Sequence, residues 1–147
     1  MRRRAGMANT PNWVALDRLD DSAFDADVLM VEDDAAIADM YALELRMAGI
    51  RVRVAASGES AVVSARRNAG YKVIVLDLEL PGMSGWTTLE ELRHVAGTAD
   101  VPVIVLSNAN VDLEDVASHG AAEWHAKYRT TPSQLVDCVR RVRLTAA

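Results

Sequence analysis

From residue 27 onward the chain alternates between two spacings of apolar residues. Unbroken runs stand at VLMV (28–31), VIVL (73–76) and VPVIVL (101–106). Between them lie longer segments in which apolar residues return every three or four positions. Unbroken runs bounded by turn residues predict strands covered on both faces, and the longer period predicts amphipathic helices.

Residue by residue, DAAIADMYALELRMAG predicts a helix with Ile37, Met40, Tyr41, Leu45 and Ala48 on one stripe and Gly49 as its stop. RVRVA (51–55) alternates like a half-exposed strand. Ser57 is the expected cap of a helix that runs to Gly70. GWTTLEELRHVAG (85–97) and VDLEDVASHG (111–120) predict two further helices, the second one short. AEWHA (122–126) reads as a weak strand. Pro132 opens a last helix that lines up Leu135, Cys138, Val139 and Val142 on one face.

Five strands alternating with five helices predict a doubly wound parallel sheet with helices on both faces. Residues 26–147 hold the whole pattern, and 147 residues suffice for one well-buried core. Residues 1–25 lack sustained periodicity and are rich in Asp, so they are expected to form a flexible extension. Trp13 to Leu19 is its one candidate for a docked helical turn.

Composition narrows the function class. A net charge of −5 argues against direct nucleic-acid binding. One cysteine, Cys138, excludes an internal disulfide and a Cys-rich zinc site and fits a reducing cytoplasm. No apolar run approaches the roughly 20 residues needed to span a bilayer. The opening MRRR is followed by polar AGMANTPN, which lacks the apolar core of a secretion signal.

In doubly wound sheets, ligands bind beyond the carboxyl ends of the strands. Polar residues at those ends therefore carry the chemistry. The first strand runs into Glu32, Asp33 and Asp34, the third into Asp77, the fourth into Ser107 and the fifth into Lys127. Taken singly each has an ordinary explanation: Asp34 as a helix cap, Asp77 as a turn former, Ser107 as a loop hydroxyl, Lys127 as a solvated cation. Taken together they converge, because parallel strands end on one side. Clustered carboxylates repel, and a hard cation such as Mg²⁺ relieves that repulsion. A carboxylate beside such an ion can attack a phosphoryl group, with Lys127 and Ser107 placed to receive its oxygens.

With these residues in view, the segment from about 26 to 147 resembles the receiver domain of two-component response regulators. The matching features are Glu32–Asp33, Asp77 in DLELPGMSG, Ser107 ending VIVLS, and Trp124 and Lys127 in GAAEWHAK. The resemblance covers about five-sixths of the chain. It implies a flavodoxin-like sheet of order 2-1-3-4-5. It implies Asp77 as phosphoacceptor, and Mg²⁺ on Asp33, Asp77 and the backbone carbonyl of Glu79, with Glu32 acting through water. Lys127 and Ser107 would bind the phosphoryl group, and Trp124 would take the place of the switch aromatic. The implied donor is a histidine kinase or a histidine phosphotransfer protein. The implied output surface is the fourth helix, fifth strand and fifth helix, facing an unnamed protein target. With no segment after the fifth helix and a leader too short for a DNA-binding module, the expected form is a stand-alone cytoplasmic receiver without membrane or nucleic-acid contacts.

The sequence departs from the family pattern at four points. Tyr128 follows Lys127 where proline after a cis bond is usual, and a non-proline cis bond costs about 3 kcal/mol. Asn108 replaces a small residue, the fourth-helix segment is about two residues short, and Glu79 adds charge beside Asp77. A rival reading is a phosphatase of the haloacid-dehalogenase type. That group has a second Asp two residues after its nucleophile, where Glu79 stands, and its metal acids follow the Lys, where only Asp137 is acidic. A second rival is a receiver-like scaffold that takes no phosphate. His94, His119 and His125 have no metal-ligand spacing and are assigned to structure, as are Trp86 and Cys138. Arg140, Arg141 and Arg143 are assigned to a solvated face.

Overall fold

The computed structural model describes residues 26–108 and 110–146. The extension expected over 1–25 lies outside the described residues. In chain order the elements are β1 (Val28–Val31), α1 (Ala35–Met47), β2 (Val52–Ala55), α2 (Gly58–Arg67), β3 (Val73–Leu76), α3 (Gly85–Arg93), β4 (Val103–Ser107), α4 (Leu113–Ser118), β5 (Glu123–Ala126) and α5 (Pro132–Ala146). Short 3₁₀ turns follow α3 at Ala96–Thr98 and β5 at Lys127–Arg129.

All five strands are parallel, in the order β2-β1-β3-β4-β5. Successive strand side chains point to opposite faces. Val28 and Met30 therefore join one core layer with Tyr41, Leu45, Leu135 and Val139 from α1 and α5. Leu29 and Val31 join the other, with Ala61, Val62, Leu89 and Leu92 from α2 and α3. This double coverage explains why β1, β3 and β4 are apolar at nearly every position.

The caps are set by local chemistry. Asp34 Oδ1 accepts from the backbone N–H groups of Ala36 and Ile37, as expected for a helix cap. Ser57 and Ser60 cap α2 reciprocally. Gly49 carries φ +83 just past the end of α1, a conformation that favours glycine.

Four expectations need correction. Met40 is 46% exposed, and Ala38 and Ala42 fill the inner face of α1 instead. The strand at 52–55 is not half exposed: Arg53 is buried, donates from Nη1 to Tyr71 Oη at 2.8 Å, and lies over the Tyr71 ring. Helix α2 ends at Arg67, three residues before Gly70, because Asn68 turns extended and its amide donates back to Ser64 O. Helix α3 ends at Arg93, and the segment to Gly97 tightens into a 3₁₀ turn. No cis peptide bond occurs among the described residues, so Lys127–Tyr128 is trans. No described helix is long and apolar enough to cross a membrane.

Candidate functional site

Sheet register places the charged residues. Val31 pairs with Leu76, so the next residues, Glu32 and Asp77, leave adjacent strands side by side. The Asp77 amide donates to Val31 O and the Glu32 amide to Ala55 O, which carries the ladder one step past both strands. Ser107 pairs with Ala126, so Lys127 emerges next to it from the sheet edge.

The side chains then meet. Lys127 Nζ donates to Asp77 Oδ2 at 2.9 Å and lies 2.7 Å from Glu32 Oε1. The three side chains are 8%, 4% and 6% exposed, respectively. Ser107 Oγ donates to Asp77 Oδ1 at 2.9 Å, and the Glu79 amide donates to the same oxygen at 3.0 Å. The Asp34 amide donates to Glu32 Oε2. Asp33 is exposed at the mouth, and carboxylate oxygens of Glu32, Asp33 and Asp77 all lie within 4.8 Å of one another.

One ammonium here serves two buried carboxylates. Burial pushes the Glu32 pKa up, and repulsion from Asp77 adds to it; hydrogen bonds from Lys127 and Asp34 only partly offset the rise. Burial alone would lower the Lys127 pKa, but hydrogen bonds to Glu32 and Asp77 outweigh it and raise the value. The directions agree with the count: Lys127 faces two anions, and Glu32 faces one cation and one anion.

The loop after Asp77 is shaped by two glycines. Gly82 has φ +74 and turns the chain. Gly85 lets the start of α3 press against the strand end, where a Cβ would overlap Leu78 Cα and stand 2.5 Å from Asp77 O. Glu79 is exposed, its amide committed to Asp77.

Five of the expected residues, Glu32, Asp33, Asp77, Ser107 and Lys127, therefore come together. Trp124 does not join their hydrogen bonds. It packs half-buried against the α2/α3 core layer, and its buried Nε1–H has no hydrogen-bond partner among the described residues. Sequence reasoning missed the role of Tyr41, which it placed only in an apolar stripe. Its hydroxyl donates at the carbonyls of Lys127 (3.1 Å) and Thr130 (2.6 Å) and pins the turn that carries Lys127. A buried tyrosine hydroxyl usually finds such a partner, and that was the available signal.

Comparison with known proteins gives concordant matches. Residues 28–140 match the family model described as "Response regulator receiver domain". The sensory transduction protein RegX3 of Mycolicibacterium smegmatis is 34% identical over 116 residues, covering 79% of this chain and 48% of its own length. The chain thus spans about half the length of the curated relatives it matches. Among solved structures, the Vibrio cholerae chemotaxis protein CheY4 aligns with a TM-score of 0.73 and 28% identity, covering 81% of this chain and 99% of that one. The receiver domain of the Pseudomonas aeruginosa sensor histidine kinase PA1611, with a magnesium ion coordinated in its active-site cleft, aligns with a TM-score of 0.71 and 29% identity. That match covers 82% of this chain and 98% of the other.

Proposed function

The chain belongs to the response regulator receiver family, and from that premise we propose that it accepts a phosphoryl group on Asp77 from a histidine kinase or a histidine phosphotransfer protein. The observation that carries this reading is the buried Asp77 carboxylate, held by Ser107 on one oxygen and Lys127 on the other.

The donor set fits magnesium. Three hard carboxylates converge on a site where one lysine serves two of them, which leaves excess negative charge facing an open mouth at Asp33. Asp33, Asp77 and the backbone carbonyl of Glu79 would hold the ion directly, and Glu32 through water. When bound, it supplies the positive charge that lets phosphoryl oxygens approach the carboxylates.

Asp77 provides the nucleophile. An oxygen–phosphorus bond forms at its carboxylate as the phosphorus–nitrogen bond of the donor phosphohistidine breaks, and the imidazole nitrogen leaves with the electron pair. Lys127 already stands at Asp77 with its ammonium and offers counter-charge to the transferred oxygens. The Ser107 hydroxyl, now committed to Asp77 Oδ1, can turn to a phosphoryl oxygen. Its motion, with that of Trp124, would carry the change to a docking face on α4, β5 and α5. The phosphatase alternative fits less well, because the acids that meet Asp77, Glu32 and Asp33, directly follow β1, and Asp137 lies exposed on α5.

Incubation with Mg²⁺ and acetyl phosphate tests the reading by intact-mass spectrometry. One phosphoryl group is expected, absent in Asp77→Ala and lost on base treatment, as for an acyl phosphate. Steady release of phosphate from general monoesters would instead favour the phosphatase. No mass gain under saturating donor would favour an unphosphorylated scaffold.

A further inference from the structure

On the far edge of the sheet, a second set of donors converges outside the Asp77 site. Glu123 and His125 lie two apart on β5 and so face the same side, toward α5. Cys138 comes from the buried stripe of α5 and meets them. Glu123 Oε1 and His125 Nε2 are 2.8 Å apart, and Cys138 Sγ lies 3.2 Å from the first and 3.3 Å from the second. We propose that Glu123, His125 and Cys138 form a second metal site, selective for a zinc-class divalent ion.

The geometry supports this directly. Zinc takes thiolate sulfur at about 2.3 Å and imidazole or carboxylate atoms at about 2.0–2.2 Å, so a tetrahedral ion separates its ligand atoms by roughly 3.3–3.6 Å. The observed triangle needs to open by only about half an ångström to meet that spacing. Two of its three donors, the Cys138 sulfur and the His125 nitrogen, are soft or borderline, unlike the all-carboxylate set at Asp77. Thiolate and imidazole favour Zn²⁺ over Mg²⁺, so the two sites are not rivals for one ion. His125 and Glu123 keep 33% and 29% side-chain exposure, which gives an ion a route in and leaves a fourth position for water.

Two groups adjust when the ion enters. As the sulfur–metal bond forms, the Cys138 Sγ–H bond breaks and its proton leaves to solvent. Arg141, whose Nη2 lies 2.6 Å from Glu123 Oε1, must release that oxygen; its side chain is 54% exposed and can turn to water. The bound ion would then clamp edge strand β5 to α5. Without an ion the same atoms form a closed hydrogen-bonded cluster, and that is the competing account.

Cobalt titration of the full chain separates the two. The sequence has one cysteine, so a thiolate-to-cobalt charge-transfer band can come only from Cys138. The titration is done in wild type and in Asp33→Ala/Asp77→Ala, which removes the carboxylate site. One equivalent of Co²⁺ is expected to produce the near-ultraviolet thiolate band and strong visible tetrahedral bands in both, and Zn²⁺ to bleach them stoichiometrically. Cys138→Ser should abolish the near-ultraviolet band, and His125→Ala should weaken Co²⁺ at least tenfold, each with the wild-type far-ultraviolet circular dichroism. In the double-acid variant, Zn²⁺ at a hundredfold excess over Kd should raise Tm by roughly 5–10 °C. If Cys138→Ser does not fold, His125→Gln serves in its place. A hydrogen-bonded cluster only would show no thiolate band at millimolar Co²⁺. That result, or unchanged Co²⁺ affinity in the folded His125 variant, overturns the proposal.

Discussion

Lys127 Nζ stands 2.7 Å from Glu32 Oε1 and 2.9 Å from Asp77 Oδ2, a single buried ammonium between two buried carboxylates. Removing it leaves both anions without a cation among the described residues. Breaking a buried pair in this way costs about 3–5 kcal/mol, far more than an exposed bridge. Lys127→Met is therefore expected to lose about 3 kcal/mol at pH 7 by urea unfolding. Millimolar Mg²⁺ should restore part of the loss, since the ion neutralises the same carboxylates. A loss within about 0.5 kcal/mol of zero, the range of ordinary surface changes, would mean that the pair carries no such tension.

The same imbalance sets a pH dependence. Glu32 has a folded pKa raised above the ordinary 4.5, with burial as the main cause. A raised folded pKa means that the folded state holds the proton more tightly than the unfolded chain. The associated stability is complete below pH 4.5 and is lost as pH climbs through the folded value. Glu32→Gln removes that loss while keeping an oxygen for Lys127. The stability of Glu32→Gln minus that of wild type should rise from pH 4.5 upward and then level off. Asp27, whose pKa is lowered by Arg51 despite burial, and Glu123, whose pKa is lowered by hydrogen bonds from His125, Cys138 and Arg141 despite burial, act the opposite way in acid, and they cancel in the difference. Lys127, raised above 10.5, contributes stability that persists to that pH and fades only in stronger base. Urea titrations from pH 4 to 8 would expose a flat difference, which would contradict this account.

How much of this was legible in the sequence depends on the range of the contact. The central strands β1, β3 and β4 were readable because a sheet covered on both faces demands unbroken apolar runs, and the order 2-1-3-4-5 came from the family resemblance. The Asp77 site was readable because parallel strands deliver their ends to one side. Arg53 was misread because alternation marks a polar residue as exposed, and only the fold brings Tyr71 close enough to hold its guanidinium. Met40 was misread because a stripe drawn by period alone does not say where the neighbouring helix lies. Tyr41 reaches a carbonyl 86 residues away, and Cys138 meets His125 across a strand–helix contact. Neither meeting has a local signature.

Ser107 and Asp77 are coupled through a hydrogen bond of 2.9 Å from a fully buried hydroxyl to a buried carboxylate. Bonds to charged groups contribute about 1.5–3 kcal/mol. Ser107→Ala, Asp77→Ala and the double variant form a cycle. Its coupling energy is expected at about 1–2 kcal/mol in urea unfolding without Mg²⁺. Additivity within about 0.3 kcal/mol would show that the two side chains do not support each other.

Gly85 is held by space rather than by backbone angle. A methyl group there would overlap Leu78 Cα and approach Asp77 O, both main-chain atoms that cannot rotate away. Gly85→Ala is expected to destabilise by about 1–3 kcal/mol, as overpacking does, and to displace the Asp77 loop. Phosphorylation from acetyl phosphate should slow alongside. Gly70→Ala serves as the contrast: its φ of +112 strains any side chain, but a Cβ there meets nothing within 4 Å and lies away from the site. Slowing of phosphoryl uptake in Gly70→Ala equal to that in Gly85→Ala would remove the steric argument.

Trp124 combines a half-buried indole with a buried Nε1–H that has no partner among the described residues. An unsatisfied buried donor costs about 1–3 kcal/mol. The observed position is therefore not fully satisfied, and a modest change nearby can favour another. Ser107 lies two positions beyond the β4 residue that pairs with Trp124, and under the proposed function its turn toward a phosphoryl oxygen would make that change. A ligand shifts such an equilibrium only as far as it prefers one state, so the size of the response measures that preference. Beryllofluoride with Mg²⁺ stands in for the phosphoryl group on Asp77. With Trp13 and Trp86 replaced by Phe, Trp124 is the sole indole. Binding of the mimic should alter its emission and slow amide exchange across 107–128. Asp77→Ala should abolish both responses. If calorimetry shows the mimic bound while emission and exchange stay unchanged, Trp124 is packing alone and the signal leaves by another surface.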